Sequence, residues 1–150
     1  MAKRIAIIQG HPDPAGGHLD HALARAYARG AEAAGHEVHW VNVAGLDFPL
    51  LRTQAEFEQG EAPEAIRQAQ RSLAAANHWV IVFPLWLGTT PALLKGFLEQ
   101  VMRPGFAFAS GDGQKPGGLL KGKSARLVVT MGMPALLYRT YFRAHGVRYL

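Results

Sequence analysis

The sequence predicts an α/β protein in which one parallel β-sheet is wound with helices on both faces. Three observations carry the prediction. Four short apolar runs rich in β-branched residues are separated by segments of helical periodicity. The spacers are long enough for the crossovers that parallel pairing requires. One run, HWVIVFP, is apolar without alternation, the pattern of a strand buried on both faces. The 150 residues suffice for a single domain with its own core, residues 1–150, and show no internal repeat.

Each element follows in order. KRIAIIQG at 3–10 is the first strand, an apolar run that a glycine ends. HLDHALARAYARGAEAAG at 18–35 is an alanine-rich helix, with Leu19, Ala22, Leu23, Ala26 and Tyr27 at helical spacing and Gly35 as C-cap. HEVHWVNVAG at 36–45 is the second strand. Residues 46–63, LDFPLLRTQAEFEQGEAP, are expected to form a long loop. Pro63 then opens and Asn77 closes the helix EAIRQAQRSLAAAN at 64–77. HWVIVFP at 78–84 is the third strand, and Pro91 opens the helix ALLKGFLEQVM at 92–102. A Gly/Pro/Lys-rich loop covers 103–123, the fourth strand SARLVVTMG covers 124–132, and PALLYRTYFRAHG at 134–146 begins a last helix. This succession predicts strand order 2-1-3-4, the flavodoxin type, rather than an NAD-type Rossmann half.

Composition narrows the chemistry. Apolar residues make up 49% of the chain and charged ones 18%, which is globular rather than disordered. Cysteine is absent, which excludes disulfide scaffolds, cysteine-ligated zinc and thiol catalysis. Lys3 and Arg4 run directly into IAIIQG, too short for a secretory apolar region, and Pro84 interrupts the longest apolar stretch. A soluble cytoplasmic protein without membrane insertion is expected. The net charge of +5 is uneven: after Glu99 eight Lys/Arg face Asp112 alone. Such a basic third suits an anionic cofactor or a plain solvated surface. No stretch interleaves aromatic and basic residues, so nucleic acid is not an expected partner.

Two motifs fail on context. GGLLKGKS at 117–124 fits the phosphate-loop pattern G-x-x-x-x-G-K-[ST], but it precedes a strand instead of linking a strand to a helix. Lys123 is therefore expected at a strand entrance, facing solvent. The first loop, GHPDPAGGH, lacks the G-x-G-x-x-G spacing of direct dinucleotide binding and the paired aspartates of a magnesium pocket. It does feed a helix N-terminus near His18, where free N–H groups favour a phosphate. His18 and His21 are spaced i, i+3, but no third ligand is evident, so no metal is expected. His36, His39 and His78 fall at strand entrances and receive no role.

Ligands of open α/β sheets bind outside the carboxyl ends of the strands. The candidate segments are thus GHPDPAGGH, PLWLGTTP and TMGMPALLY. A flat, mostly apolar redox ring needs a slot, backbone donors at its polar edge and stabilisation of developing negative charge. PLWLGTT offers large side chains and free N–H groups for the first two needs. Tyr138 is a neutral donor, and a histidine behind it can become a cation near neutral pH.

GHPDP, HALA, FPLWLGTTPALLKGFLEQVMRPGFAF and TMGMPALLYRTYFRAHG together resemble the flavodoxin-like NAD(P)H:quinone oxidoreductase family. That family also includes bacterial drug-activity modulators and ancillary subunits of potassium-efflux systems. The resemblance implies a flavin, FAD more often than FMN, reduced by NAD(P)H in a ping-pong cycle with a quinone-like acceptor, in a homodimer. It places His11, His18, Leu19 and Asp20 along the flavin phosphates and ribityl chain. Pro84, Leu85, Trp86, Leu87 and Gly88 would follow the isoalloxazine ring, with Thr130, Met131, Gly132 and Met133 at its pyrimidine end. Tyr138 and His145 would stabilise charge on the reduced ring. The chain departs from the family pattern at Asp20, where asparagine is common and a carboxylate would repel phosphate unless turned away. It departs also at His18, Trp86 and Leu87. Relatives continue past the position of Leu150 into a fifth strand and a helix, so the fifth strand is expected to be absent; either the chain is a truncated or incompletely recorded product, or its fourth strand is an exposed edge. The same resemblance leaves open a flavoprotein regulatory subunit of a potassium-efflux transporter, and the missing fifth strand and Asp20 leave open a truncated domain without flavin.

Overall fold

The computed structural model describes residues 1–109, 118–148 and 150. Residues 110–117 of the expected loop, including Gly117 of the phosphate-loop pattern, lie outside the described residues. Four strands, β1 (Arg4–Gln9), β2 (Glu37–Asn42), β3 (His78–Pro84) and β4 (Ser124–Thr130), form one sheet in the order β2-β1-β3-β4. Every pair is parallel. The register sets Gln9 opposite both Asn42 and Val82, and Pro84 opposite Thr130, so all four strands end along one edge.

Alternation along the central strands supplies two cores. Ile5, Ile7, Val80 and Val82 point to the face covered by α1 (Leu19–Ala33), where they meet Ala24, Ala28 and Ala31. Ala6, Ile8, Trp79, Ile81 and Phe83 point to the other face. There they pack with Ile66, Ala69 and Leu73 and with Leu94, Phe97 and Val101. These come from α3 (Glu64–Ala75) and α4 (Ala92–Val101). This two-sided burial explains why HWVIVFP shows no alternation in sequence. On α1 the buried face is Asp20, Ala24, Ala28 and Ala31, rotated from the expected face, and Leu19 is 63% exposed. Alanines let the helix sit close on the sheet, whereas a leucine face would hold it away.

The loop expected over 46–63 contains a short helix, α2 (Gln54–Glu58). The Thr53 hydroxyl accepts from Glu56 N–H at 3.1 Å, and the Glu56 carboxylate accepts from Arg52 N–H at 2.8 Å. Five residues cannot sustain a helix alone. Arg103, 6% exposed, ties it down by donating to the carbonyls of Glu56 and Gly60 and to Gln100 Oε1. The second strand stops at Asn42 and passes into a 3-10 turn, Val43–Gly45. The last helix, α5 (Ala135–Thr140), is shorter than expected and leads to a second 3-10 turn, His145–Val147.

Lys123 corrects the expectation of a solvent-facing side chain. Its Nζ donates to the carbonyls of Ala74 and Ala76, both at 2.6 Å, and so caps the end of α3. That position lies beside the start of β4, at the opposite end of the sheet from the candidate crevice. β4 pairs on one side with β3, and among the described residues its other edge is unpaired.

The close fit of α1 is directly testable. Ala24→Leu inserts side-chain volume at a site 1% exposed and is expected to destabilise the fold by about 1–3 kcal/mol, read from the urea midpoint. An unchanged midpoint would show that α1 is not closely packed there.

Candidate functional site

The candidate site opens where β1, β3 and β4 end and α1 begins. Its cavity, about 430 Å³, is lined by His11, His18, Leu19, Asp20, Pro84, Leu85, Trp86, Thr130, Met131 and Gly132. Ten of the fifteen residues singled out in sequence are thus brought together. Leu87, Gly88, Met133, Tyr138 and His145 lie outside this lining.

The first loop is held by its own side chains. Gln9 Oε1 accepts from His11 N–H at 3.0 Å, and Asp13 accepts from Ala15 N–H at 2.9 Å in an Asx turn. His11, 7% exposed, accepts the Asp13 N–H on Nδ1 at 3.1 Å. Neutral imidazole in that arrangement carries its proton on Nε2 and can donate from it. The His18 ring stacks on His11 with centroids 4.0 Å apart and planes 14° apart, and its Nε2 meets the Asp13 carboxylate at 2.7 Å. Trp86 approaches His11 edge-on at 6.1 Å. His11 and His18 therefore stack, with His21 tilted against both at 5.2 and 5.7 Å.

Asp20 is 3% exposed, and the Thr130 hydroxyl lies 3.0 Å from both of its carboxylate oxygens, donating into the group. The Thr130 carbonyl accepts from Leu85 N–H at 2.7 Å. This pair stitches the ends of β3 and β4 to the first turn of α1. The carboxylate is thus held by Thr130 and shielded from solvent, although Asp20 lines the cavity.

Residues 86–89 form a two-residue hairpin turn. Trp86 and Thr89 exchange backbone hydrogen bonds of 2.9 and 3.0 Å, and both central residues have positive φ, 49° at Leu87 and 81° at Gly88. Glycine adopts that conformation freely, but a leucine there costs about 1 kcal/mol. Leu87 is also fully exposed. The segment after α5 clamps this turn. Tyr138, 4% exposed, donates its hydroxyl to the Gly88 carbonyl at 3.0 Å, and Thr89 Oγ1 donates to the Gly146 carbonyl at 3.2 Å. A Cβ on Gly146 would overlap the Gly88 carbonyl, so only glycine fits this approach. Leu87, Arg143 and Ala144 are the non-glycine residues with positive φ among the described residues, and all three belong to this turn and its clamp. Strained backbone concentrates at sites whose geometry is over-determined. His145 is exposed, and no hydrogen bond joins its ring to Tyr138 among the described residues.

A flavin nucleotide fits these groups. The α1 N-terminus has no side-chain cap, so its first N–H groups and His11 Nε2 suit a phosphate. Pro84, Leu85, Trp86 and Met131 wall a slot for a flat ring. The N–H groups of Leu87, Gly88, Gly132 and Met133 have no acceptor among the described residues, which leaves donors for a polar ring edge.

Crevice and topology together define a doubly wound α/β protein whose ligand site lies at the switch between β1 and β3. A family model described as flavodoxin-like fold matches residues 3–150, and the chain belongs to that family. An uncharacterized NAD(P)H oxidoreductase of Haemophilus influenzae is 28% identical over 138 residues, 90% of this chain and 67% of that protein. A ribosyldihydronicotinamide dehydrogenase-like protein of Penicillium crustosum is 30% identical over 170 residues, 96% of this chain and 61% of that protein. This chain thus spans about two thirds of the length of either. In three dimensions it is similar to an NAD(P)H:quinone oxidoreductase of Methanothermobacter marburgensis, a likeness of fold, with TM-score 0.82 and 20% identity. That match covers 100% of this chain and 74% of the other. Among the described residues no helix is long and apolar enough to cross a membrane.

The site has a titration consequence. Burial, then the neighbouring His18, holds His11 below the ordinary imidazole range. His21 is lowered by burial, His18 and Arg25, and His78 by burial, Arg126 and Lys3. Each group takes up its proton more readily in the unfolded chain, so stability is full above the unfolded value of about 6.5 and falls as pH drops through the lower folded values. The denaturation midpoint is expected to fall between about pH 7.5 and about pH 5.5. A His21→Gln, His78→Gln double variant should flatten that fall, and a wild-type midpoint that rises on acidification would contradict it.

Proposed function

We propose that the chain is the catalytic domain of a flavin-dependent oxidoreductase that carries two electrons from NAD(P)H to a quinone-like acceptor. The observation that carries this is the convergence of three strand-end turns and an uncapped helix start on one flat-walled cavity. The named activities of the Haemophilus and Penicillium relatives point the same way. FAD is the preferred occupant in this reading, with FMN the alternative. When bound, the flavin supplies the hydride chemistry.

The chain's own residues bind and orient. His11 Nε2–H and the first N–H groups of α1 hold the phosphate end. Trp86 and Leu85 form the ring wall, and the N–H groups beyond Leu87 and Gly132 face its polar edge. Tyr138 acts as a positioning residue by fixing the Gly88 carbonyl, which keeps the strained turn in place. His145, exposed on the same clamp, is proposed to stabilise charge on the reduced ring. Leu87 on the turn and Leu136 and Tyr141 on and just after α5 are 106%, 73% and 77% exposed. Apolar exposure of this kind suits closure by a second copy of the chain, and the working unit in this proposal is a homodimer.

The test is optical. Purified protein, as isolated or after addition of FAD or FMN, should show a flavin spectrum that bleaches when NADPH is added without oxygen. A protein that takes up neither flavin overturns the proposal. In the same assay Tyr138→Phe should keep its flavin but slow bleaching by roughly tenfold, and an unaltered rate would remove Tyr138 from the mechanism.

A further inference from the structure

A second and larger cleft, about 680 Å³, lies on the opposite side of the first loop from the flavin slot. It is walled by the β2 edge and the outer flank of α1, and floored by the turn at Ala44 and Gly45. Its size is in the range of small-molecule sites. Neither the relatives nor the flavin reading accounts for it.

Its lining is chemically uneven. Gln9 sits at its base, 4% exposed, with Oε1 used by His11 N–H but Nε2 without any acceptor among the described residues. His21 Nδ1 is likewise buried and unpartnered. Arg25 follows His21 by one helical turn, on the same side of α1, and makes no ion pair among the described residues. Trp40, a large ring 40% exposed, and Asn42 lie two residues apart on β2 and so share a face. Asp13 at the loop end also lines the cleft; its carboxylate meets His18 Nε2 at 2.7 Å and makes no ion pair with Arg25 among the described residues.

We propose that this cleft is a second binding site, for a planar heteroaromatic anion of the nucleoside-monophosphate class. Trp40 offers a face on which a base stacks. The Asn42 amide presents one donor and one acceptor direction, which suits the edge of such a base. Arg25, exposed on the α1 flank of the cleft, meets the phosphate. An inorganic anion would leave the ring wall and the Asn42 amide unused, and a neutral hydrocarbon would leave Arg25 unpartnered. His11 separates this cleft from the flavin slot, so both can be filled together.

The test is titration calorimetry with AMP, adenosine and inorganic phosphate on the full chain, with its flavin bound and with flavin removed. AMP should bind saturably at one site per chain in both forms, without changing the flavin spectrum. Arg25→Gln should weaken AMP by roughly tenfold while leaving adenosine nearly unchanged. Trp40→Ala should weaken both ligands, and Trp40→Phe, which keeps a stacking ring, should restore them. Three results would each overturn the proposal. The first is no saturable AMP binding below about 5 mM. The second is inorganic phosphate binding as tightly as AMP. The third is release of bound FAD in proportion to AMP taken up, which would assign the cleft to the flavin's own tail.

Discussion

Everything in this molecule hangs on the common end of four parallel strands. Because Gln9 faces Asn42 and Val82, and Pro84 faces Thr130, the chain leaves each strand at one level. Side-chain geometry then has only to steer the turns. Hydrogen bonds from Thr130 to Asp20 and from Leu85 to Thr130 close the seam between α1, β3 and β4. A slip of one residue in any pairing would turn every core side chain to the wrong face and scatter the turns at once.

The second constraint is the clamp on residues 86–89. A hairpin with leucine at a left-handed position has a better conformation available to it. It is kept in place by buried Tyr138 and by the approach of Gly146, both from the segment after β4. That segment is lightly packed, since α5 buries Tyr138 alone. The site thus joins a rigid half, set by the sheet, to a half held by a few polar contacts. Such a division suits the proposed function, in which flat molecules would enter and leave the slot in turn.

Much of this was legible in the sequence, for identifiable reasons. Continuous apolar runs in β1 and β3 reveal strands with helices on both sides, and strand order follows from the crossovers. The carboxyl-end rule then selects the three loops. What escaped depends on contacts between distant residues. α2 carries a T-Q-A-E capping signal, yet it is too short to stand without Arg103, forty-odd residues away. Lys123 looks like a solvent-facing strand entry until α3 places its terminal carbonyls beside it. Tyr138 reads as a donor to a ligand, and only the folded turn shows the Gly88 carbonyl within reach. The cleft beside β2 was invisible because the strand run HEVHWVNVAG does not say what lies against Trp40 and Asn42. The unmet amide of Gln9 has no signature in one dimension.

The account stands on the turns after β1, β3 and β4 gripping one flat cofactor together. Backbone amide shifts recorded by NMR during titration with FAD test this most directly. The predicted result is concerted perturbation of residues 11–20, 84–89 and 130–133, saturating with a single affinity, while the amides of Trp40, Val41 and Asn42 stay in place. Perturbation of one turn alone, or shifts centred on the β2 side of the sheet, would contradict it.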